Sequence, residues 1–319
     1  MTCVKDDRLT ELTEKLEAGV TELFTSGRYE EYLRMMSKFH RYSFGNTMLI
    51  FLQCPTATHV AGYSKWKKDF GRHVRRGEKG IMIFAPCPTK RFVEQEQTDP
   101  ATGQVLCAPD GSPLKATQLV SKMYFKVATV FDVSQTEGRE LPSLGISELT
   151  GDVADFQQIY SRLTKLSPVP VRIGAVPGTA KGYYSSIESE IVIRSDMSQV
   201  QTVKTLVHEI AHAKLHDLRK LGTEERKLRR EKEVEAESVA YMVCQHFGID
   251  TSDYSFAYVA GWSKGKELEE LKSSLELIQK TAGEIIDAIQ PLNRDSIRLK
   301  RKFVEKASPN LGGLGEAKY

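Results

Sequence analysis

The chain has 319 residues, 40% apolar and 27% charged, with 45 basic against 42 acidic side chains and a formal net charge of +3. This composition excludes a disordered or fibrous chain, leaves room for two cores of about 100–200 residues each, and argues against an acidic mimic of DNA. No apolar run approaches the roughly 20 residues of a bilayer span, and MTCVKDDRLTELTEKL is charged where a signal peptide needs an apolar centre, so a cytoplasmic protein with no membrane partner is expected.

Leu9, Leu12, Leu16, Val20, Leu23 and Phe24 recur at helical spacing before Ser26 and Gly27 stop the run, which predicts an amphipathic first helix. A second helix is expected from Tyr29 to about His40. A third runs from a capping serine, Ser43, to Gln53, and Pro55 ends it. From Thr58 to Pro86 aromatic and β-branched residues take over between glycines, and Ile81–Ala85 reads as a buried strand. Residues 88–117 hold the turn formers DPATG and APDGSP and are expected to form a protruding hairpin or flexible insert. Met123–Val133 then returns to strand composition. The stretch around 138–150 lacks a core pattern and is expected to link two units.

The rear half begins with a helix over Val153–Leu166, followed by the strand VPVRIG and by GYYSSIESEIVIRS, read as two strands and a turn. Met197–His216 is expected to be helical, with Val200, Val203, Leu206, Val207, Ile210 and Ala211 on its apolar face. A charged run leads to a helix over Glu233–Phe247 closed by Gly248. A last long helix carries Leu268, Leu271, Leu275, Ile278, Ala282, Ile285 and Ile289 and stops before Pro291. The fold class is therefore α+β: helices with a small sheet in front, then a small sheet and a histidine helix behind. No internal repeat is present. The five cysteines, Cys3, Cys54, Cys87, Cys107 and Cys244, form no CxxC pair, so neither a disulfide framework nor a cysteine zinc site is expected.

The chemistry concentrates in LVHEIAHAKLH, Leu206 to His216. Residues four apart share a helix face, so His208 and His212 can offer nitrogens to one ion at about 2.0–2.1 Å. Glu209 sits to the side, where a carboxylate can take a proton from water and return it to a leaving amine. The competing reading is a helix whose histidines are only polar surface. His216 is eight residues beyond His208, about 12 Å along the axis, too far to share the ion, and is expected to cap or to support. A third ligand is sought in EKEVEAESVAYMV, where Glu233 and Glu237 lie one turn apart. If Glu233 binds the metal, Glu237 can accept from the outer nitrogen of a ligand histidine, while Glu235 points elsewhere.

These two segments resemble gluzincin-type zinc peptidases, most closely the ImmA/IrrE-like domain of ArdC-type antirestriction proteins. The resemblance implies a zincin-like fold, Zn2+ or another divalent cation held by His208, His212 and Glu233, with Ala236 completing the Glu-x-x-Ala pattern, and Glu209 as catalytic base. It also implies that GYYSSIESEIVIRS borders the site, where a protein or peptide substrate can lie as an added strand, and that a tyrosine among Tyr183, Tyr184, Tyr254 and Tyr258 stabilises an oxyanion.

Ala61–Gly80 interleaves Tyr63, Trp66 and Phe70 with Lys65, Lys67, Lys68, Arg72, Arg75, Arg76 and Lys79. Cations for phosphates and flat rings for unpaired bases are the elements of single-strand binding. Trp66 and Phe70 are also four apart, so both equally fit a helix core. SFGNTMLIFLQCPTATHVAGYSKWKKDFGRHVRRGEKGIMIFAP and VFDVSQTEGRELP are similar to the N-terminal domain of ArdC-type proteins, which implies single-stranded DNA as partner. The expected organisation is residues 1–140 as this domain with an insert at about 90–117, 141–150 as linker, 151–306 as the metallopeptidase-like domain and 307–319 as tail. Basic residues in Ile297–Phe303 are expected to be a solvated end. Two functions follow: an antirestriction-type protein of a mobile element that binds single-stranded DNA and carries a zinc peptidase, or a DNA-coating protein whose metal domain is structural or regulatory.

Overall fold

The computed structural model describes residues 7–99, 102–110, 112–141, 153–217, 219, 228–256 and 259–290. Its front part opens with three helices, α1 (Asp7–Thr25), α2 (Tyr29–Lys38) and α3 (Phe44–Gln53). The leucine stripe of α1 buries Leu12, Val20, Leu23 and Phe24. The Ser43 hydroxyl caps α3 by accepting the Asn46 N–H at 3.3 Å, as the sequence predicts.

A three-stranded antiparallel sheet follows in the order β1-β4-β3, from β1 (Val60–Gly62), β3 (Ile81–Glu96) and β4 (Lys115–Asp132). β3 and β4 pair from Ile81↔Val130 out to Glu96↔Lys115, so the expected insert is the outer half of one continuous ribbon. Of the two readings the sequence offered there, this is the protruding hairpin. The open edge of β3 is closed by α3: the Asn46 amide exchanges bonds of 2.8 and 2.9 Å with the Phe84 backbone, and Gln53 does the same with Met82 at 3.0 and 2.8 Å. Two side-chain amides thus occupy backbone groups through which edge strands otherwise associate.

Between β1 and β3 lie α4 (Tyr63–Phe70) and β2 (Arg72–Val74). β2 pairs with β5 (Thr136–Gly138) beyond a single 3-10 turn at Val133–Gln135. Gly138 has φ 126°, and a Cβ there would stand 2.7 Å from the Gly71 carbonyl oxygen, so only glycine fits this pairing.

Asp132, 1% exposed, ties the sheet together. Its carboxylate accepts the backbone N–H of Thr58 at 2.8 Å, His59 at 3.0 Å and Ser134 at 2.9 Å. Asp132→Ala strands three donors and is expected to lower the unfolding free energy by about 2–4 kcal/mol in urea titrations. Burial works to raise this carboxyl's pKa, but the hydrogen bonds from Ser134, Thr58 and His59 outweigh it, and the pKa stands below the ordinary aspartate value. That stabilisation is complete above about pH 4 and is lost as pH falls through the folded-state pKa, so wild type and variant converge in acid.

The rear part contains α5 (Val153–Leu166), a sheet of order β6-β8-β7, and helices α6 (Gln199–Leu215), α7 (Arg229–His246), α8 (Val259–Ser263) and α9 (Leu268–Ile289). β6 (Val171–Gly174) is parallel to β8 (Glu190–Arg194), and β7 (Gly182–Ser185) is the antiparallel edge. The α+β class read from the sequence holds. α7 begins four residues before the expected start, taking in part of the charged run. Val200, expected on the buried face of α6, is 42% exposed, because the first turn of that helix extends past the core.

Helix α7 packs against α6, α9 and α2, and Val234, Ala236 and Val239–Cys244 are all 0% exposed. One apolar cluster runs from Val20 and Tyr32 in front to Ile210, Val243 and Ile285 behind. Polar contacts cross the same seam: the hydroxyls of Tyr29 and Ser238 are 2.9 Å apart, and Gln279 donates to the Phe39 carbonyl at 3.0 Å. Front and rear helices thus share a core. The expected linker lies outside the described residues apart from Leu141, as do the 297–303 and 307–319 segments. Among the described residues no helix is long and apolar enough to cross a membrane.

Candidate metal centre

The Ser198 hydroxyl starts α6 by accepting the Gln201 N–H at 3.2 Å, which sets the rotation of a helix whose apolar residues Val203, Leu206, Val207 and Ile210 face the core. That rotation sends His208 and His212 out together. Their Nε2 atoms are 3.0 Å apart, and Glu233 Oε2 of α7 lies 3.6 Å from the first and 3.5 Å from the second. For tetrahedral ligation at about 2.0–2.2 Å, donor atoms stand about 3.3–3.6 Å apart; the two spacings to Glu233 match this, and the imidazole pair at 3.0 Å needs only a small opening to admit one divalent ion. Among the described residues this is the group of His, Cys, Asp and Glu side chains able to do so, with all donor atoms within 4.8 Å.

The protonation states of Glu233 and His212 suit a cation. Glu233, 45% exposed along its side chain, is held well below the usual carboxylate range by the imidazoles of His208 and His212. Burial lowers the pKa of His212 and so keeps that ring neutral. At His208 burial acts the same way, but the carboxylates of Glu233 and Glu209 outweigh it and raise the pKa. Glu209 is 7% exposed, and burial pushes its carboxyl up to about 7, even though the Tyr184 backbone N–H donates to it. An acid poised near neutrality can both take and give a proton.

His216 stands outside the donor group, as expected. It is the C-cap residue of α6, and its Nδ1 lies 3.0 Å from His212 Nδ1 while its Nε2 lies 2.9 Å from Glu235 Oε2. The outer nitrogen of His212 therefore meets His216, which leaves His208 as the ligand histidine that Glu237 could support. Glu235 turns away from Glu233, as two residues of helix require, but inward to His216. The Ser274 hydroxyl of α9 donates to its other oxygen at 2.6 Å. The row His208, His212, His216 was a legible signal for the first link, whereas nothing in the sequence ties Glu235 to Ser274.

Of the four tyrosines, Tyr183 and Tyr184 lie half-buried on β7, the Tyr184 hydroxyl beside Asp217 and Arg219. Tyr254 packs on the Tyr241 ring at 5.7 Å with its hydroxyl 4.0 Å from Cys244 Sγ, and Tyr258 lies outside the described residues.

The basic segment divides. Trp66 is 0% and Phe70 7% exposed, packed on each other at 5.1 Å over Ala61 and Val74, and the Trp66 indole donates to the Phe131 carbonyl at 2.9 Å. They form a satellite core under α4 and are not a platform for bases. Arg72 is spent on Thr136 and on the Gly138 and Arg139 carbonyls, and Arg75 on Glu78 and the Ser134 carbonyl. Lys65 is half-buried. Tyr63, Lys67, Lys68, Arg76 and Lys79 remain exposed.

Residues 4–131 match the family model for the N-terminal domain of anti-restriction factor ArdC. An uncharacterized protein of Bacillus anthracis is 30% identical over 337 residues, covering 97% of this chain and 56% of that protein, so the chain spans little more than half of the relative's length. Among solved structures, antirestriction ArdC from the R388 plasmid aligns in its metal-free form at 22% identity, over 82% of this chain and 85% of that one, with a TM-score of 0.42. Its Mn(II)-bound form aligns at 21% identity over 84% and 85%, also at 0.42.

Proposed function

We propose, from the match of residues 4–131 to the model for the N-terminal domain of anti-restriction factor ArdC, that the chain is an antirestriction protein of a mobile element that binds single-stranded DNA with its front part and carries a zinc-dependent, gluzincin-like peptidase site behind. The observation that carries the peptidase reading is the meeting of three donor atoms from two helices within 4.8 Å, beside an acid whose pKa burial has raised to about 7. A purely structural zinc is normally closed by a fourth protein ligand, whereas a catalytic one keeps a position open. Three such ligands are grouped here among the described residues.

A divalent cation in that position supplies a polarised water and a Lewis acid for a scissile carbonyl. Glu209 takes the proton from the attacking water and hands it to the departing amine. β7 both positions Glu209, through the Tyr184 N–H, and presents the sheet edge along which an extended peptide adds as a strand. The purified chain is expected to hold about one divalent ion by elemental analysis, absent from His212→Ala. A wild-type chain that takes up no zinc, manganese or cobalt on dialysis overturns the reading.

For the front part, the exposed cations Lys67, Lys68, Arg76 and Lys79 are the phosphate-binding groups we infer, with Tyr63, 59% exposed, available to stack on a base. Replacing the four cations by alanine is expected to weaken retention of single-stranded DNA and to flatten the plot of log affinity against log salt by about 0.7 for each phosphate no longer neutralised. An unchanged slope moves the interface elsewhere.

A further inference from the structure

Behind the donor cluster three buried side chains stand in line. His216, Glu235 and Ser274 are 4%, 1% and 4% exposed, and the contacts run from His212 Nδ1 to His216 Nδ1 at 3.0 Å, from His216 Nε2 to Glu235 Oε2 at 2.9 Å, and from Ser274 Oγ to Glu235 Oε1 at 2.6 Å. The direction of each hydrogen bond follows from what the groups are able to do. A carboxylate only accepts, so His216 carries its proton on Nε2. A ring with its single proton there offers a lone pair at Nδ1, so that the proton between the two rings comes from Nδ1 of His212. This leaves Nε2 of His212, the atom 3.5 Å from Glu233 Oε2, with its lone pair bare toward the cluster.

We propose that His216 and Glu235 are positioning residues that lock His212 into the tautomer able to ligate a divalent ion through Nε2, and that Ser274 makes α9 part of this support by holding the Glu235 carboxylate. The proposal rests on His208, His212 and Glu233 being a metal site, and it adds three residues to that site from beyond the motif. Without the line, the proton of His212 is free to sit on Nε2, where it must be expelled before an ion enters. Outer partners of this kind typically change metal affinity by about 10–100-fold.

The test uses the full chain. Long-range proton–nitrogen correlation spectra of the metal-free protein at pH 8 report which nitrogen of each imidazole is protonated. Expected are Nδ1–H for His212 and Nε2–H for His216. In His216→Leu the His212 proton moves to Nε2 and zinc affinity, read by competition with a chromophoric chelator, falls about 10–100-fold. In His216→Gln, whose amide oxygen accepts from His212 and whose amide nitrogen donates to Glu235, the tautomer and most of the affinity return. The proposal is overturned by a wild-type His212 protonated on Nε2, or by a folded His216→Leu that binds zinc within about threefold of wild type. If His216→Leu does not fold, the wild-type tautomers decide alone. Expected tautomers in a chain that holds no zinc overturn the metal reading beneath the proposal. Zinc uptake by a chain whose metal-free His212 is protonated on Nε2 overturns the proposal and leaves that reading standing.

Discussion

Glu233→Ala lowers zinc affinity by at least about 100-fold, whereas Glu237→Ala lowers it by less than about tenfold. Loss of an outer partner costs up to about 100-fold, and loss of a ligand must exceed that. The sequence left both glutamates open as third ligand, since they sit one turn apart on one face of α7. The structure brings Glu233 Oε2 to 3.5 and 3.6 Å from the two imidazole nitrogens. Its side chain is 45% exposed, so truncation removes a ligand without opening the core. Competition with a chelator of known affinity measures both variants. If Glu237→Ala proves the damaging change, or Glu233→Ala stays within about tenfold of wild type, the ligand set is wrong.

The grouping of donor side chains was largely readable from the sequence because its logic is local. Four residues are one helical turn, so His208 and His212 needed only the helix to meet, and that helix was announced by Leu206, Val207 and Ile210. The third donor was readable as a pair of alternatives and not as one residue, because the choice depends on how α7 is rotated against α6. The support behind it was not readable beyond His216. Glu235 and Ser274 are 39 residues apart and meet through the packing of α9 on α7.

The front part shows the opposite limit. A stripe of Trp66 and Phe70 among lysines has one pattern and two meanings, and burial alone separates them. The 0% exposure of Trp66 assigns it to the core and leaves Tyr63 as the exposed ring of that segment. Arginines mislead similarly: Arg72 adds to the sequence's positive charge yet is committed to the backbone of β5 and the residue after it. The short strands β1, β2 and β5 have three residues each and no pattern of their own, since each exists through a partner 62–72 positions away, as in Val60↔Asp132 and Arg72↔Gly138.

Glu209→Gln separates holding a metal from using it. The side chain lies outside the donor group, so zinc content stays at the wild-type level, while hydrolysis of an unfolded protein substrate falls by about 10²–10⁴-fold, the usual worth of a positioned acid–base group. Glutamine keeps the shape and still accepts the Tyr184 N–H through its amide oxygen, so β7 stays docked on α6. It also removes a carboxyl that burial holds at about 7, far from its ordinary value, so the melting temperature of the variant is not expected to drop. What disappears is the proton shuttle. The same variant divides the two functions proposed for the chain: protection of single-stranded DNA against a restriction nuclease survives if coating suffices, and fails if cleavage of a protein is the means. Retained hydrolysis in zinc-loaded Glu209→Gln would remove this glutamate from the chemistry and leave the His208, His212 and Glu233 cluster as a binding site alone.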